Sequence, residues 1–159
     1  MLAVKLISVH AMEDRYGVKT YALGSGNAPT KGLSGLFRKI RYRATHFYNV
    51  DELAKIFKAE IETLSEKKAV TKVFVASTDN FDGANEAFVK ALEEKMEGSG
   101  IEVSYGERIK YDPDMIISIS NSDLVIVIEN IDKSSNFEIG EEMKFITDRN
   151  TQIIGVVVQ

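Results

Sequence analysis

Residues 124–128 read LVIVI, an unbroken apolar run preceded by Asp123 and followed by Glu129. A short run of this kind, bounded by polar residues, predicts a strand buried on both faces, as in a parallel sheet. Residues 70–76 (VTKVFVA), 101–105 and 153–158 predict three further strands by the same reasoning. The second half of the chain is therefore organised around a buried sheet.

Helical patterns separate these strands. Apolar residues at helical spacing, with Asp51 as N-cap, predict a helix over 50–68, and the pair Asp112 and Pro113 predicts the start of another. The expected helices cover 50–68, the residues from 84 to the stop at Gly98, 113–122 and 137–148. Strands joined by single helices form right-handed parallel crossovers. The fold class expected is α/β, a doubly wound, mostly parallel sheet of flavodoxin-like or Rossmann-like type.

The first fifty residues differ from the rest. Residues 4–9 and 18–23 flank a polar turn and predict a β-hairpin extension, so we divide the chain into an appended segment, 1–49, and an α/β domain, 50–159. That domain consists of a leading helix and a core at 70–159. Residues 1–69 hold 12 basic and 7 acidic residues, whereas 70–159 hold 8 and 17.

A basic cluster lies in the appended segment, interleaved with aromatic residues: Lys31, Arg38, Lys39, Arg41 and Arg43. Basic residues mixed with aromatics suit a phosphate backbone or a stacked base. One alternative is that the cluster is a solvated basic face or docks on the acidic half of a neighbouring subunit. Another is that it binds a small phosphorylated ligand.

Composition excludes several classes of site. The chain has no cysteine and only two histidines, so disulfides, thiolate zinc sites and cysteine nucleophiles are excluded, and we expect neither a metal nor a cofactor. No apolar run reaches eighteen residues, and the start lacks the pattern of a secretory signal. These features predict a cytoplasmic protein with no membrane partner.

Carboxylates gather in the loops that follow the predicted strands. Ligands of doubly wound sheets bind beyond the carboxyl ends of the strands. The acidic residues expected there are Asp79, Asp82, Asp112, Asp114, Glu129, Asp132 and Glu138. A carboxylate at the start of the last helix, as at Glu138, is kept ionised by the helix N-terminus and suits a nucleophile, while Gly140 permits a close approach. The alternative is ordinary loop polarity and a helix-terminal charge.

The same residues resemble the nucleoside 2-deoxyribosyltransferase family. The resemblance covers 70–159 and is carried by KVFVAS at 72–77, SDLVIVI at 122–128, Asp132, FEIG at 137–140 and IIGV at 153–156. It implies that Glu138 attacks the anomeric carbon of a nucleoside, that Asp132 contacts the base or sugar, and that Asp114 or Asp112 helps to protonate the leaving base. Substrate contacts are then expected from Phe74, Ser77, Asp79, Asp112, Asn136 and Gly140.

Two departures from that family stand in the sequence. Phe74 occupies a position where the family usually has a tyrosine, and Asp114 is one position off the usual spacing to Asp123. A second resemblance, to Toll/interleukin-receptor (TIR) domains, uses KVFVASTD at 72–79, 119–126 and SNFE at 135–138, and implies a glutamate that cleaves NAD. A third hypothesis is a non-catalytic nucleotide-sensing or interaction module. The expected partner is a nucleoside, a nucleotide or an NAD-like molecule, and a homo-oligomer is compatible with all three.

Overall fold

The computed structural model describes residues 17–24, 47–77, 83–109, 112–129 and 136–158, and at 136–139 it describes the backbone alone. These residues form six strands and four helices, with these bounds in chain order: β1 Thr20–Leu23, β2 Phe47–Tyr48, α1 Val50–Ser65, β3 Lys72–Ser77, α2 Gly83–Met96, β4 Glu102–Gly106, α3 Pro113–Ser120, β5 Leu124–Glu129, α4 Asn136–Thr147 and β6 Gln152–Val158. The expected strand at 4–9 and the basic cluster lie outside the described residues.

The six strands form one sheet in the order β2-β1-β6-β5-β3-β4, and every pairing in it is parallel. Helices α1 and α2 pack on one face, through side chains such as Phe57 and Phe88. Helices α3 and α4 pack on the other, through Ile119, Met143 and Ile146. The doubly wound α/β class expected from the sequence is confirmed.

Strand β5 lies near the centre of this sheet, and all six of its residues are buried. Its side chains alternate between the two layers, with Val125 and Val127 facing α3 and α4. Leu124, Ile126 and Ile128 face α1 and α2. An apolar run without polar alternation is what a strand covered on both faces requires.

A bulge interrupts β6 where Val125 pairs with Ile153 and the next residue of β5 pairs with Gly155. Ile154 and Gly155 therefore face the same layer, the one that holds α1. A Cβ built on Gly155 would lie 2.6 Å from Cε1 of Phe57. Glycine thus lets the aromatic ring of α1 rest directly on the strand.

The strand predicted at 18–23 is present as β1 and belongs to the main sheet, while 4–9, the other strand of the expected hairpin, lies outside the described residues. Ala22 of this strand pairs in parallel with Phe47 of β2 on one side and with Val158 of β6 on the other. Because each strand has only two hydrogen-bonding edges, β1 is an interior strand of the main sheet. Described strands on both sides of the expected boundary after residue 49 therefore share one sheet.

The N-cap of α1 is Asn49, and not Asp51 as expected. The Asn49 side chain accepts a hydrogen bond from the Glu52 N–H at 2.8 Å, and the Asn49 N–H donates to the Glu52 side chain at 3.1 Å. This reciprocal capping box satisfies the backbone N–H groups of Asn49 and Glu52. A helix capped at Asp51 would begin two residues later and would not include this pair of hydrogen bonds. The helix also ends earlier than expected, at Ser65.

Asp51 instead joins the two helices of its layer. Its carboxylate accepts from Lys55 at 2.8 Å and from Lys95 of α2 at 2.7 Å. These two ammonium groups lower the pKa of Asp51 from 3.8 to about 2. Both ion pairs involve the exposed Asp51 carboxylate, so they orient α1 and α2 more than they stabilise them.

Asp123 holds the amino ends of β3 and β5 together. Its Oδ2 accepts from the Thr71 N–H at 2.8 Å, from the Lys72 N–H at 3.0 Å and from the Thr71 hydroxyl at 3.2 Å. The Asp123 N–H donates to the Lys72 carbonyl at 2.9 Å. Hydrogen bonds from Thr71 and Lys72 lower the pKa of the Asp123 carboxyl below its ordinary 3.8.

Asp123→Ala is expected to lower the free energy of unfolding at pH 7 by about 1–2 kcal/mol, since it removes a charge-assisted hydrogen-bond acceptor that is partly exposed. Because the folded state depresses this pKa, the stabilisation is complete above the unfolded value of about 3.9 and is lost as the pH falls through the folded value. Urea titrations of both proteins at several pH values measure this. If the difference in unfolding free energy between Asp123→Ala and the unchanged protein stays constant as the pH falls, the ionised Asp123 carboxylate is not its source. Asp123→Asn keeps one acceptor oxygen and should lose less stability than Asp123→Ala.

Candidate functional site

The direction of the chain through the sheet reverses between β3 and β5. From β3 the chain passes through α2 to β4 on one side, whereas from β5 it passes through α4 to β6 on the other. Helices α2 and α4 also lie on opposite faces of the sheet. Doubly wound folds bind their ligands in a crevice at such a topological switch point, beyond the carboxyl ends of two adjacent strands, so the ends of β3 and β5 are where a ligand crevice is expected.

Buried polar side chains lie on the strands and helices of the switch point. Ser77 and Glu129 are the last residues of β3 and β5 and are only 3% and 1% exposed. Asn85, in the first turn of α2, is 2% exposed, and Glu142 of α4 is fully buried. Among the described residues the other buried polar side chains are those of Thr20 and Thr151. Four of six such side chains therefore belong to the two strands and two helices of the switch point.

These polar groups come from both layers. Alternation along β3 puts Ser77 on the face that holds α1 and α2, and Asn85 precedes the buried residues Phe88 and Val89 by one turn of α2. Alternation along β5 puts Glu129 on the opposite face, where α4 packs. Ser77 and Asn85 therefore belong to the layer of α1 and α2, and Glu129 belongs to the layer of α3 and α4.

Helix α4 begins at Asn136, so Glu138 lies in its first turn, as the sequence predicts. Position 138 precedes the fully buried Glu142 by four residues, and hence by one helical turn. Gly140 lies between these two positions in the sequence and is partly buried. The start of the helix and the end of β5 are thus separated by only six residues.

Phe74 is a core residue. It is 1% exposed and packs in the layer of α3 and α4, where a Cβ built on Gly106 would lie 2.7 Å from its ring. The side chain of Met115, on α3, also packs against Gly106. Phe74 therefore lies beneath the carboxyl end of β3, within the packing that supports the crevice.

Asp112 and Asp114 are both exposed at the start of α3. Asp112 is the N-cap, as expected, and its carboxylate accepts a hydrogen bond from the Asp114 N–H at 2.9 Å. Helix α3 follows β4, at the edge of the sheet next to β3. Asp114 follows the cap and leaves its carboxylate at the surface, whereas that of Asp112 is engaged by its own helix.

Several expected site residues lie outside the described part of the chain. They are Asp79, Asp82 and Asp132, together with the basic cluster Lys31, Arg38, Lys39, Arg41 and Arg43. Within the ranges that the structure describes, no group of three or more metal-ligating side chains is assembled. No helix in those ranges is long and apolar enough to span a bilayer.

Asn85 and Glu142 were not expected as site residues, although the sequence carries a signal for both. Asn85 falls on the same helical stripe as the buried Phe88, Val89, Leu92 and Met96. Glu142 stands beside Met143 and four residues before Ile146, both buried. A polar residue on the apolar stripe of a helix indicates a buried polar group. Burying such a group costs free energy unless it is hydrogen-bonded.

Comparison of the chain with family models, with curated proteins and with solved structures gives no match. The assignment of this site therefore rests on the position and chemistry of the residues described above.

Proposed function

We propose that this protein cleaves the N-glycosidic bond of a nucleoside or nucleotide, with Glu138 as nucleophile, and passes the sugar to a second base or to water. The observation that carries the proposal is the placement of Glu138 in the first turn of α4, at the topological switch point between β3 and β5. The resemblance at residues 70–159 supports the same assignment.

The chemistry follows from a carboxylate at that position. When the C1′–N bond breaks, its electron pair leaves with the base and positive charge develops on the sugar ring. The Glu138 carboxylate stabilises that charge and then forms an ester with C1′, as in retaining glycosidases. A base nitrogen or water attacks C1′ in the second step, which breaks the ester and restores the Glu138 carboxylate. The proton lost by that base or water passes to the carboxylate that protonated the departing base in the first step. The N-terminus of α4 favours the ionised form needed in both steps.

The other groups have separate roles in the proposal. The departing base needs a proton, and Asp114, exposed at the start of α3, is the carboxyl group assigned to supply it. Asp132 is assigned to the base or the sugar. Ser77 and Asn85 border the crevice on the side of α2 and offer a hydroxyl and an amide for hydrogen bonds to sugar hydroxyls or base edges.

A non-catalytic nucleotide-binding module is the second candidate, and Phe74 favours it. A tyrosine at this position would bring a hydroxyl that could orient the nucleophile, whereas Phe74 brings none. Its ring is instead part of the core beside Gly106 and Met115. A module that only binds would keep the crevice and its polar border without needing that hydroxyl.

The first experiment separates these functions in one chromatographic assay. The purified protein is incubated with mixed deoxynucleosides and a foreign free base, and separately with NAD. We expect new nucleosides that contain the foreign base, or free base if water is the acceptor. Release of nicotinamide alone would replace the proposal by the TIR-like activity. Unchanged substrates in both incubations, with nucleoside binding detected by calorimetry, would establish the second candidate instead.

A further inference from the structure

We propose that Met115 is a positioning residue, whose side chain packs against Gly106 and Phe74 and thereby holds Asp114 where it can protonate the departing base. The inference rests on the proposed function, in which Asp114 is the general acid. Met115 directly follows Asp114 in the first turn of α3. Whatever fixes the Met115 side chain therefore also fixes the backbone that carries the Asp114 carboxyl.

The absence of a side chain at Gly106, the last residue of β4, makes room for Met115. A Cβ built on Gly106 would overlap the Met115 Sδ, and it would lie 2.7 Å from Cζ of Phe74. The thioether therefore occupies the space beside the glycine and approaches the edge of the aromatic ring, within the roughly 5 Å that is usual for a sulfur–aromatic contact. Met115 also packs against the buried core of this layer. Strand β4 and helix α3 are thus joined at one point.

The first turn of α3 is fixed on both sides of Asp114. The Asp112 carboxylate accepts a hydrogen bond from the Asp114 N–H at 2.9 Å, and the Asp112 carbonyl accepts one from the Met115 N–H at 3.1 Å. The cap holds the backbone before Asp114, and the packed Met115 side chain holds the residue after it. A displacement of about 1 Å can cost a catalytic group roughly a hundredfold in rate, so this anchoring matters for an acid.

The connection from β4 to α3 is tied to the carboxyl end of β3. Ile109, which is fully buried, donates its N–H to the Ser77 carbonyl at 3.4 Å. Gly106 pairs with Ala76, the residue before Ser77. Both contacts hold the start of this connection beside the strand end where the ligand is expected. Because Phe74 also belongs to β3, the Met115 contact anchors the start of α3 to the same strand.

The dependence of the rate on the leaving base tests the proposal. Gly106→Ala puts a methyl group where the Met115 sulfur lies and should displace the start of α3. With an ordinary deoxynucleoside, whose base must be protonated as it leaves, we expect kcat to fall by about thirtyfold. The second substrate is a deoxyguanosine whose base is methylated on its imidazole ring and is already cationic. Its kcat should change by less than about threefold, because that base departs neutral without a proton.

Three further variants separate Met115 from a general effect on the fold. Met115→Ala removes the packed side chain and leaves β4 unchanged, so the same selective loss is expected even if Gly106→Ala is unstable. In an Asp114→Asn background, Gly106→Ala should have no further effect on kcat, because the group that it misplaces is already absent. Ile117→Ala changes an exposed side chain of the same helix and should leave both rates within about twofold.

Three results would overturn the inference. Equal losses with both substrates would show that Met115 supports the site as a whole, and unchanged rates in Gly106→Ala and Met115→Ala would show that Asp114 does not depend on this contact. In both cases the proposed function would stand, since the unchanged protein still turns over its substrates. No turnover of either substrate by the unchanged protein would remove the proposed function, and the role of Met115 with it.

Discussion

Glu138→Gln is expected to reduce base release or exchange by about a thousandfold or more, with little change in the unfolding temperature. Glutamine has nearly the same shape as glutamate but cannot supply a negative charge or form the ester with C1′. Position 138 lies in the first turn of α4, one turn before the buried Glu142. Initial rates with the best deoxynucleoside, measured by chromatography, give the ratio.

Glu141→Gln is the matched control for this substitution. It makes the same chemical change on the same helix, but Glu141 is exposed whereas Glu142 beside it is buried. We expect the control to keep the rate within about twofold of the unchanged protein, as for surface substitutions away from a site. Equal losses in both variants would point to a general effect of charge on α4. An unchanged rate in Glu138→Gln would remove the nucleophile from the proposal.

Gly155→Ala is expected to lower the free energy of unfolding by about 2–3 kcal/mol. The added Cβ would lie 2.6 and 2.8 Å from two ring atoms of Phe57, closer than real carbon contacts allow. Phe57 is fully buried between Tyr21 and Phe88, whose ring centroids are 5.4 and 5.7 Å away. The ring therefore cannot yield without displacing two other aromatic side chains. Urea unfolding followed by circular dichroism measures the loss.

Two comparisons show whether Phe57 is the cause. Gly83→Ala places a Cβ in open space and should change stability by less than about 0.5 kcal/mol. Phe57→Leu reduces the side chain that obstructs the new methyl group, so Gly155→Ala should cost less in that background than in the unchanged protein. If both backgrounds lose the same amount, the penalty arises from the backbone of the bulge rather than from the ring.

Local patterns in the sequence were sufficient for the helices and the buried strands. The run at 124–128 is apolar at every position because β5 is covered on both faces, and the Asp112 cap was predictable because it is followed directly by Pro113 and bonds to the Asp114 N–H two residues on. The Asn49 cap could also have been predicted from the sequence, since Asn49 and Glu52 have the spacing of a capping box. Asp51, a competing acidic residue two positions later, led to the wrong cap.

The order of the strands in the sheet could not be predicted from local sequence patterns. Residues 18–23 have the composition of a strand, but their partners are β6, more than a hundred residues away, and β2. A hairpin with 4–9 is the nearest local solution, and the pairing with β6 could not be predicted because the energy of pairing depends on surfaces that only the folded sheet brings together. The burial of Glu142 and Asn85 depends in the same way on the layers above the sheet.

The sequence by itself determined the α/β class, the helix containing Glu138 and the absence of thiol chemistry, because periodicity, capping and composition act within a few residues. Only the tertiary structure decided where the chain reverses direction between β3 and β5, and therefore where a ligand crevice is expected. It also decided that Phe74 supports the core and that Ser77 and Glu129 end neighbouring strands. These outcomes depend on contacts between distant segments, whose free energy arises only when the layers pack together.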